Sequence, residues 1–158
     1  MTDIAQTFLS ESRRLLTSDY LPKIERCLAG LSDEDVWWRP NEASNSIGNL
    51  LLHLCGNVRQ WIVGGVGGGE VERDRQSEFD ERKHLPAGEL LERIKSVVAE
   101  ADALIAGLDT ETLMSGRQIQ GYDGNVLTAV YHVVEHFAMH TGQIIFLSKM
   151  RGGRDLEL

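Results

Sequence analysis

Hydrophobic residues recur at intervals of three and four along four long stretches of the chain, which predicts four helices. The first runs from about Asp3 to Leu28, before Gly30, and the second from about Ser46 to Val63. The third runs from about Pro86 to Leu108, and the fourth from about Asn125 to Met150. Capping residues at the starts and glycine beyond the ends agree with these limits. The pattern therefore predicts an all-α four-helix bundle.

Two connections in this bundle are long, residues 31–45 and residues 64–85. Loops of this length in a compact domain are uncommon and are often functional. A bundle with one or two long crossover loops accommodates both. Pro22 either kinks the first helix or starts a new segment after Leu21. Strand signals are weak, and only residues 117–122 (RQIQGY) have the character of a short extended segment.

The length of 158 residues predicts a single domain spanning residues 1–158. Sixteen Lys and Arg against twenty-four Asp and Glu give a net charge of −8, which argues against a nucleic-acid partner. The sequence shows no signal-peptide pattern and no apolar run near the roughly 20 residues that span a bilayer. Cys27 and Cys55 lie outside any CxxC motif and suit free thiols. We therefore expect a cytoplasmic protein that does not enter the membrane.

The fourth helix carries three histidines, His132, His136 and His140, at intervals of four residues. Two imidazoles four residues apart can meet one metal ion, but His132 and His140 are about 12 Å apart along the axis. A helical wheel at about 100° per residue places His140 within the apolar stripe and His132 at its edge, beside Gln143. The predicted inward pair is therefore His136 and His140, with His132 as a flanking group.

The second helix supplies His53, at the border of its apolar arc with Asn57 alongside. His53 is therefore the candidate third ligand, and Asn57, His132 and Gln143 are predicted to lie around the ligands or near a substrate. Three protein ligands leave an open position for water or substrate, as in catalytic sites. Neutral imidazole suits Zn, Ni, Cu or Fe. The alternative is that these histidines only pack in the bundle. His84 is expected to be solvated.

Three stretches carry a resemblance to a known family. They are LSDEDVWWRPNEASNSIGNLLLHL (residues 31–54), EHFAMHTGQI (residues 135–144), and GNVRQWIVGGVGG followed by RDRQSEF. With these stretches the chain resembles, over nearly its whole length, the DinB-like superfamily of YfiT-like metal-dependent hydrolases and their thiol-transferase relatives. The resemblance implies a four-helix bundle with nickel or zinc held by His53, His136 and His140. Many relatives have Arg where Thr141 stands here, so a contact from that Arg to an anionic thiol is not expected.

The resemblance also implies a homodimer. A second apolar face of the fourth helix, formed by Leu127, Val134 and Ile145, is predicted to contact another helix or another subunit. The expected function is that of a metal-dependent enzyme, a hydrolase or a thiol S-transferase acting on a small molecule. The alternative is a non-catalytic dimeric protein that binds metal or serves a stress response.

Two further groups in the connections have candidate roles. Trp37 and Trp38 could stack on a ligand, but packing of the crossover against the bundle is the favoured interpretation. The RDR motif of residues 73–75, with Glu78, could receive an anionic substrate. A solvated loop or interchain salt bridges are the favoured interpretation of that segment. Phe79 could anchor it to the core.

Overall fold

The computed structural model describes residues 3–82, 85–153, 155–156 and 158. The helices are α1 Ile4–Arg14, α2 Leu21–Leu28, α3 Asp33–Trp37, α4 Ile47–Val58, α5 Arg75–Asp80, α6 Ala87–Ala106, α7 Thr110–Leu113 and α8 Val126–Gly152. Wider π-helical turns over Leu15–Tyr20 and Arg59–Val66 follow α1 and α4 directly. The strands β1 Gly116–Ile119 and β2 Tyr122–Asn125 form an antiparallel hairpin.

The long helices pack side by side around one apolar core. Helix α4 contacts α6 and α8, α2 contacts α8, and α1 contacts α6. Fully buried side chains from all of these helices fill the space between them, among them Leu9, Ile24, Leu51, Ile94 and Phe137. The four-helix bundle predicted from the hydrophobic periodicity is therefore confirmed. The chain is not purely helical, however, because it also contains the hairpin.

The first predicted helix is continuous but changes geometry before Pro22. Residues 4–28 are helical throughout, and the π-helical turns of Leu15–Tyr20 separate α1 from α2. Pro22 lies in the first turn of α2. Proline has no N–H to donate to the preceding turn, and its ring crowds the carbonyl four residues earlier. A wider turn at this place accommodates both effects without ending the helix.

Both connections that were expected to be loops contain a short helix. Ser32 caps α3 in a capping box, because its Oγ accepts from the Asp35 N–H while the Asp35 carboxylate accepts from the Ser32 N–H. Asp74 caps α5 by accepting from two backbone N–H groups. Both signals are readable in the sequence as a capping residue before a short acidic turn. Trp37 is buried and its Nε1 donates to the Leu85 carbonyl, which agrees with its interpretation as a packing residue.

The hairpin occupies the segment whose sequence has extended character. Gln120 and Gly121 both have positive φ values, 54° and 78°, as a tight two-residue turn between antiparallel strands requires. Ile119 is buried and lies where a side chain on Gly65 would stand. Asn125, at the end of β2, caps α8. The hairpin thus packs against the π-helical turns that follow α4 and leads directly into α8.

The second apolar face of α8 is partly used within the chain. Leu127, Val134 and Ile145 are partly buried and pack against the core. Contact with another helix, one of the two predicted alternatives, is therefore present. Within the described ranges, no helix combines the length and the apolar character needed to cross a bilayer.

Candidate metal centre

Helices α4 and α8 present two polar pairs to one another on successive turns. His53 faces His136, with 3.1 Å between their Nε2 atoms. One turn later on α4 and one turn earlier on α8, Asn57 faces His132, with 3.2 Å between Nδ2 and Nε2. The two helices are therefore antiparallel here, and their register brings polar side chains together inside an otherwise apolar contact.

Three histidines converge at the first of these pairs. The Nε2 of His140 lies 3.2 Å from the Nε2 of His136, and one ligand atom from each of His53, His136 and His140 lies within 4.8 Å of the others. His53 and His140 are buried, with exposed fractions of 3% and 8%, and His136 is half-buried. The site therefore gathers three nitrogen donors from two helices in a largely water-excluded place.

The outer nitrogens of two of these rings face hydrogen-bond acceptors. His53 Nδ1 lies 2.9 Å from Glu78 Oε2, and His140 Nδ1 lies 2.7 Å from Gln143 Oε1. His140 Nδ1 therefore carries its hydrogen. His53 Nδ1 also lies 3.1 Å from the donor Arg73 Nη2, but the shorter contact with the Glu78 carboxylate assigns a hydrogen to this nitrogen too. Each Nε2 then directs a lone pair towards His136 Nε2. A single hydrogen on His136 could satisfy only one of these two lone pairs. A cation that is bound by the Nε2 lone pairs of all three histidines removes this conflict.

The distances also fit a metal ion. Zinc–nitrogen bonds of about 2.0–2.1 Å, at angles of about 90–109°, place ligand nitrogens about 2.9–3.4 Å apart. The separations of 3.1 and 3.2 Å from His136 lie in that range, and the remaining pair, His53 and His140, lies within 4.8 Å. Burial, together with the neighbouring His140 and His53 imidazoles, lowers the pKa of His136 to about 3. Burial also lowers the pKa of His140. Neutral imidazole is the form that binds metal, so protonation state and spacing agree.

A buried ion pair lies directly behind His53. The Arg73 guanidinium donates to both oxygens of Glu78, at 2.7 and 2.8 Å, and to Gln60 Oε1 at 2.7 Å. Burial acts to raise the pKa of Glu78, but the hydrogen bonds from Arg73 and His53 outweigh it and lower the pKa. Glu78 is therefore an ionised carboxylate that accepts from His53. The expectation of a solvated loop was therefore wrong for Arg73 and Glu78, whereas Asp74 and Arg75 are exposed as expected. Interchain salt bridges from this segment stay a prediction.

Each of the two polar pairs contains one buried atom that has no hydrogen-bond partner among the described residues. His132 stacks on Trp61, with 4.2 Å between ring centroids, and its Nε2 accepts from Asn57. Asn57 Oδ1 and His136 Nδ1 are buried and make no hydrogen bond to any described residue. Burial of an unpaired polar atom is costly. One acceptor and one donor next to the histidine cluster thus remain for a water molecule or a polar group of a ligand.

A surface groove adjoins the cluster on the His140 side. It has a volume of about 660 Å³, within the range of small-molecule sites. Gln143, which holds His140, is also part of its wall. Most of the remaining wall is apolar, with Pro40, Leu50, Met139, Phe146, Leu147 and Met150 among the lining residues.

A model of the protein family described as "Protein of unknown function (DUF1572)" matches residues 3–157. The chain belongs to this family. A DinB-like protein from Bacillus cereus has 16% identity to this DUF1572 chain and a TM-score of 0.67, with 87% of this chain and 88% of that chain covered. A conserved protein from Enterococcus faecalis has 13% identity and a TM-score of 0.74, with 98% and 100% covered. The DUF1572 chain therefore has a DinB-like fold. No curated protein gave a significant match.

The structure of this DUF1572 protein places the predicted residues in three groups. His53, His136 and His140 form the cluster. Gln143 contacts His140 from the outer side, and Asn57 and His132 contact each other one turn from the cluster. His84 lies outside the described residues. Thr141, which directly follows His140, is buried, and its hydroxyl has no hydrogen-bond partner among the described residues.

Sequence reasoning missed the partner of His53 in the DUF1572 chain. Glu78 was noticed only as part of a charged segment, because no helical periodicity connects it with α4. The segment is separated from His53 by the glycine run, and its register against α4 depends on tertiary contacts. One local signal was available, the glycine at position 56 in the middle of an apolar helix.

Proposed function

We propose that this protein is a metal-dependent enzyme in which His53, His136 and His140 hold one divalent ion, zinc or nickel. The reaction is hydrolysis of a small molecule or transfer of a thiol to it. The observation that carries this proposal is the convergence of three Nε2 atoms while the Nδ1 atoms of His53 and His140 are engaged by acceptors. A bound ion would supply Lewis-acid activation of water or of a thiol.

The residues around the cluster suit binding and orientation. Glu78 and Gln143 fix two of the three rings in the tautomer that presents Nε2 inward. Asn57 and His132 offer polar contacts one turn away, and the Asn57 Oδ1 makes no hydrogen bond within the described part of the chain. Three protein ligands leave coordination positions for water and substrate, as in catalytic rather than structural sites.

The groove supports a small-molecule substrate with an apolar portion. Its wall combines Gln143, Met139 and Phe146 of α8 with Pro40 and residues 43–45 of the segment before α4. Met139 and Phe146 have exposed fractions of 47% and 64%, so an apolar ligand would remove their surface from water. A ligand in this groove would lie next to the residue that orients His140.

The proposal is tested first by metal content. Protein purified without a histidine tag and without added metal should contain close to one zinc or nickel ion per chain by elemental analysis. Metal-free protein should take up one equivalent on titration. Failure of both measurements would overturn the metal site and leave the histidines as packing residues.

Activity is tested separately on protein with one bound ion. Esters, amides and lactams probe hydrolysis, and low-molecular-weight thiols paired with electrophiles probe thiol transfer. Turnover that disappears on chelation and returns with metal supports the enzyme. Stoichiometric metal binding with no turnover in either screen would favour the non-catalytic metal-binding alternative.

A further inference from the structure

Residues 67–82, here called the strap, cross the surface of α4 beside the histidine cluster. The Nδ2 of the fully buried Asn49 donates to backbone carbonyls of the strap, those of Glu78, Phe79 and Glu81. The Phe79 ring packs on His53, with 4.6 Å between ring centroids. The sequence predicts Phe79 as an anchor of this segment, and the residue that it contacts is His53, a candidate metal ligand. The docked strap thus closes the outer side of His53.

The ion pair of the strap is buried more deeply than its position on a surface segment suggests. The side chains of Arg73 and Glu78 are only 5% and 10% exposed. Isolating charges from water is costly unless good geometry and further hydrogen bonds compensate. Here Glu78 accepts from both Arg73 and His53, and Arg73 also donates to Gln60. The carboxylate is therefore held in one place, on the outer nitrogen of His53.

Helix α4 has a space reserved for this pair. A Cβ on Gly56 would overlap Glu78 Oε1 and would lie 2.7 Å from Arg73 Nε. Glycine in a helix interior is destabilising relative to alanine, because it loses more backbone freedom on folding. Gly56, three positions after His53, therefore leaves room for the Glu78 carboxylate to approach the helix.

We propose that Glu78 is a positioning residue for the metal centre, and that docking of the strap is coupled to metal binding through it. The inference rests on the proposed metal site. Glu78 fixes the Nδ1–H tautomer of His53, so that Nε2 is available to the ion. Partners of this kind typically change metal affinity by about 10–100-fold. Because coupling between two sites is reciprocal, a bound ion must in turn stabilise the docked strap.

The first test uses metal-free protein and does not depend on the metal site. Two-bond ¹⁵N–¹H correlation spectra report which ring nitrogen of His53 carries the hydrogen. The expected result is the Nδ1–H form in the wild type and its loss in Glu78→Ala. Glu72→Gln, which removes an exposed charge from the same strap, should keep the wild-type form. An unchanged His53 tautomer in Glu78→Ala would overturn the positioning role.

The second test is titration with Co²⁺, followed by its visible spectrum and by binding affinity. Glu78→Ala should bind about 10–100-fold more weakly than the wild type, with shifted absorption bands. Glu78→Gln, whose amide oxygen can still accept from His53, should recover part of the loss. Glu72→Gln should match the wild type. Equal affinity and an identical spectrum for Glu78→Ala would overturn the inference while leaving the metal site intact.

The third test measures the coupling itself. Co²⁺ should slow tryptic cleavage at Arg75 and Arg82, two exposed residues of the strap, in the wild type but not in Glu78→Ala. Metal binding without any protection would overturn the coupling. A wild type that binds no Co²⁺ but shows the Glu78-dependent tautomer would overturn the proposed function and the coupling, and would support the positioning of His53.

A variant that leaves Glu78 in place guards against simple unfolding of Glu78→Ala. Gly56→Ala should displace the ion pair and reproduce both the lost tautomer and the weaker Co²⁺ binding. Gly88→Ala, at a helix position with no neighbouring atom within 4 Å, is the matched control and should behave as the wild type. Circular dichroism checks that each variant is folded. A folded Gly56→Ala with wild-type tautomer and affinity would contradict the proposal.

Discussion

The Nε2 atoms of His53 and His136 lie 3.1 Å apart, although 83 positions separate the two residues in the chain. The neighbouring pair, Asn57 and His132, meets one turn away on the same two helices. A slip of one helix past the other by a single turn would separate both pairs. The register is fixed by buried apolar residues on both helices, such as Leu54. The cluster is therefore a consequence of bundle packing.

Substitution of one cluster histidine should abolish tight metal binding. His140→Ala removes one of three nitrogen donors. Loss of a residue that only orients a ligand lowers metal affinity by up to about 100-fold, and we expect His140→Ala to lower it by more than that. Elemental analysis and competition with a coloured chelator measure the change.

The matched control is another histidine on the same helix. His132→Ala should retain close to one ion per chain, since His132 Nε2 faces Asn57 rather than the cluster. Loss of metal in His132→Ala, or full retention in His140→Ala, would contradict the proposed ligand set.

Gln143 should matter to metal binding without being a ligand. Its Oε1 accepts from His140 Nδ1 at 2.7 Å, so Gln143→Ala frees that ring to rotate or change tautomer. We expect metal affinity to fall by about 10–100-fold. Gln143→Glu keeps an acceptor at the same place and should bind more tightly than the alanine variant. Titrations of both variants side by side measure this order, and the reverse order would argue against the orienting role.

The helices and the histidine positions were predictable because they follow from local periodicity. Apolar residues at intervals of three and four locate the bundle helices, and the wheel of α8 separates His140 from His132. Burial agrees, since His140 is 8% exposed and His132 is half-buried. The position of His53 was predictable by the same reasoning, because this residue borders the apolar arc of α4.

The strap could not be predicted in the same way, and of the hairpin only the extended character of residues 117–122 was predictable. Helix α5 spans only six residues, RQSEFD, and Phe79 is its one apolar side chain, so its sequence carries no apolar stripe. Its place is determined by Asn49, which donates to three strap carbonyls. The contact between Glu78 and His53 depends on that tertiary arrangement and on the space at Gly56. The hydrophobic periodicity of the sequence predicts neither the position of the strap nor the space at Gly56.

Metal should stabilise the folded chain, because the unfolded chain does not hold the three histidines together. At a free metal concentration 100 times the Kd, the gain is about 2.7 kcal/mol. For a chain of this size that corresponds to a rise in Tm of roughly 5–10 °C. Differential scanning fluorimetry with zinc and then with excess EDTA measures the shift and its reversal. His140→Ala should show no shift, and an equal shift in that variant would indicate binding elsewhere.

Asn49 should hold the strap on the bundle. Its side chain is fully buried and bonds Ser46 as well as the strap, so Asn49→Ala leaves several buried groups unpaired. We expect the free energy of unfolding to fall by about 1–3 kcal/mol and strap cleavage by trypsin to accelerate. Urea denaturation and limited proteolysis measure both effects. Gln76→Ala, in the exposed part of α5, should stay within about 0.5 kcal/mol of the wild type. Similar stabilities for the two variants would contradict the anchoring role.

The homodimer expected from the family resemblance is a proposal that the surface of α8 supports. Tyr131 and Ile4 are 61% and 86% exposed and, with Phe8 and Val134, line an apolar groove of about 480 Å³. Exposed contiguous apolar surface of this kind is typical of interaction sites. Tyr131→Glu would place a charge in such an interface. Light scattering should then change from twice the chain mass of 17.6 kDa to that mass.

The control for this prediction is Tyr122→Glu, which adds the same charge at an exposed tyrosine on the hairpin. It should leave the dimer intact, because Tyr122 lies outside the groove that contains Val134. A monomeric wild type at micromolar concentration would contradict the dimer. If Tyr131→Glu is still a dimer, the interface does not lie at this groove, because a buried unpaired carboxylate costs too much for such an interface to persist.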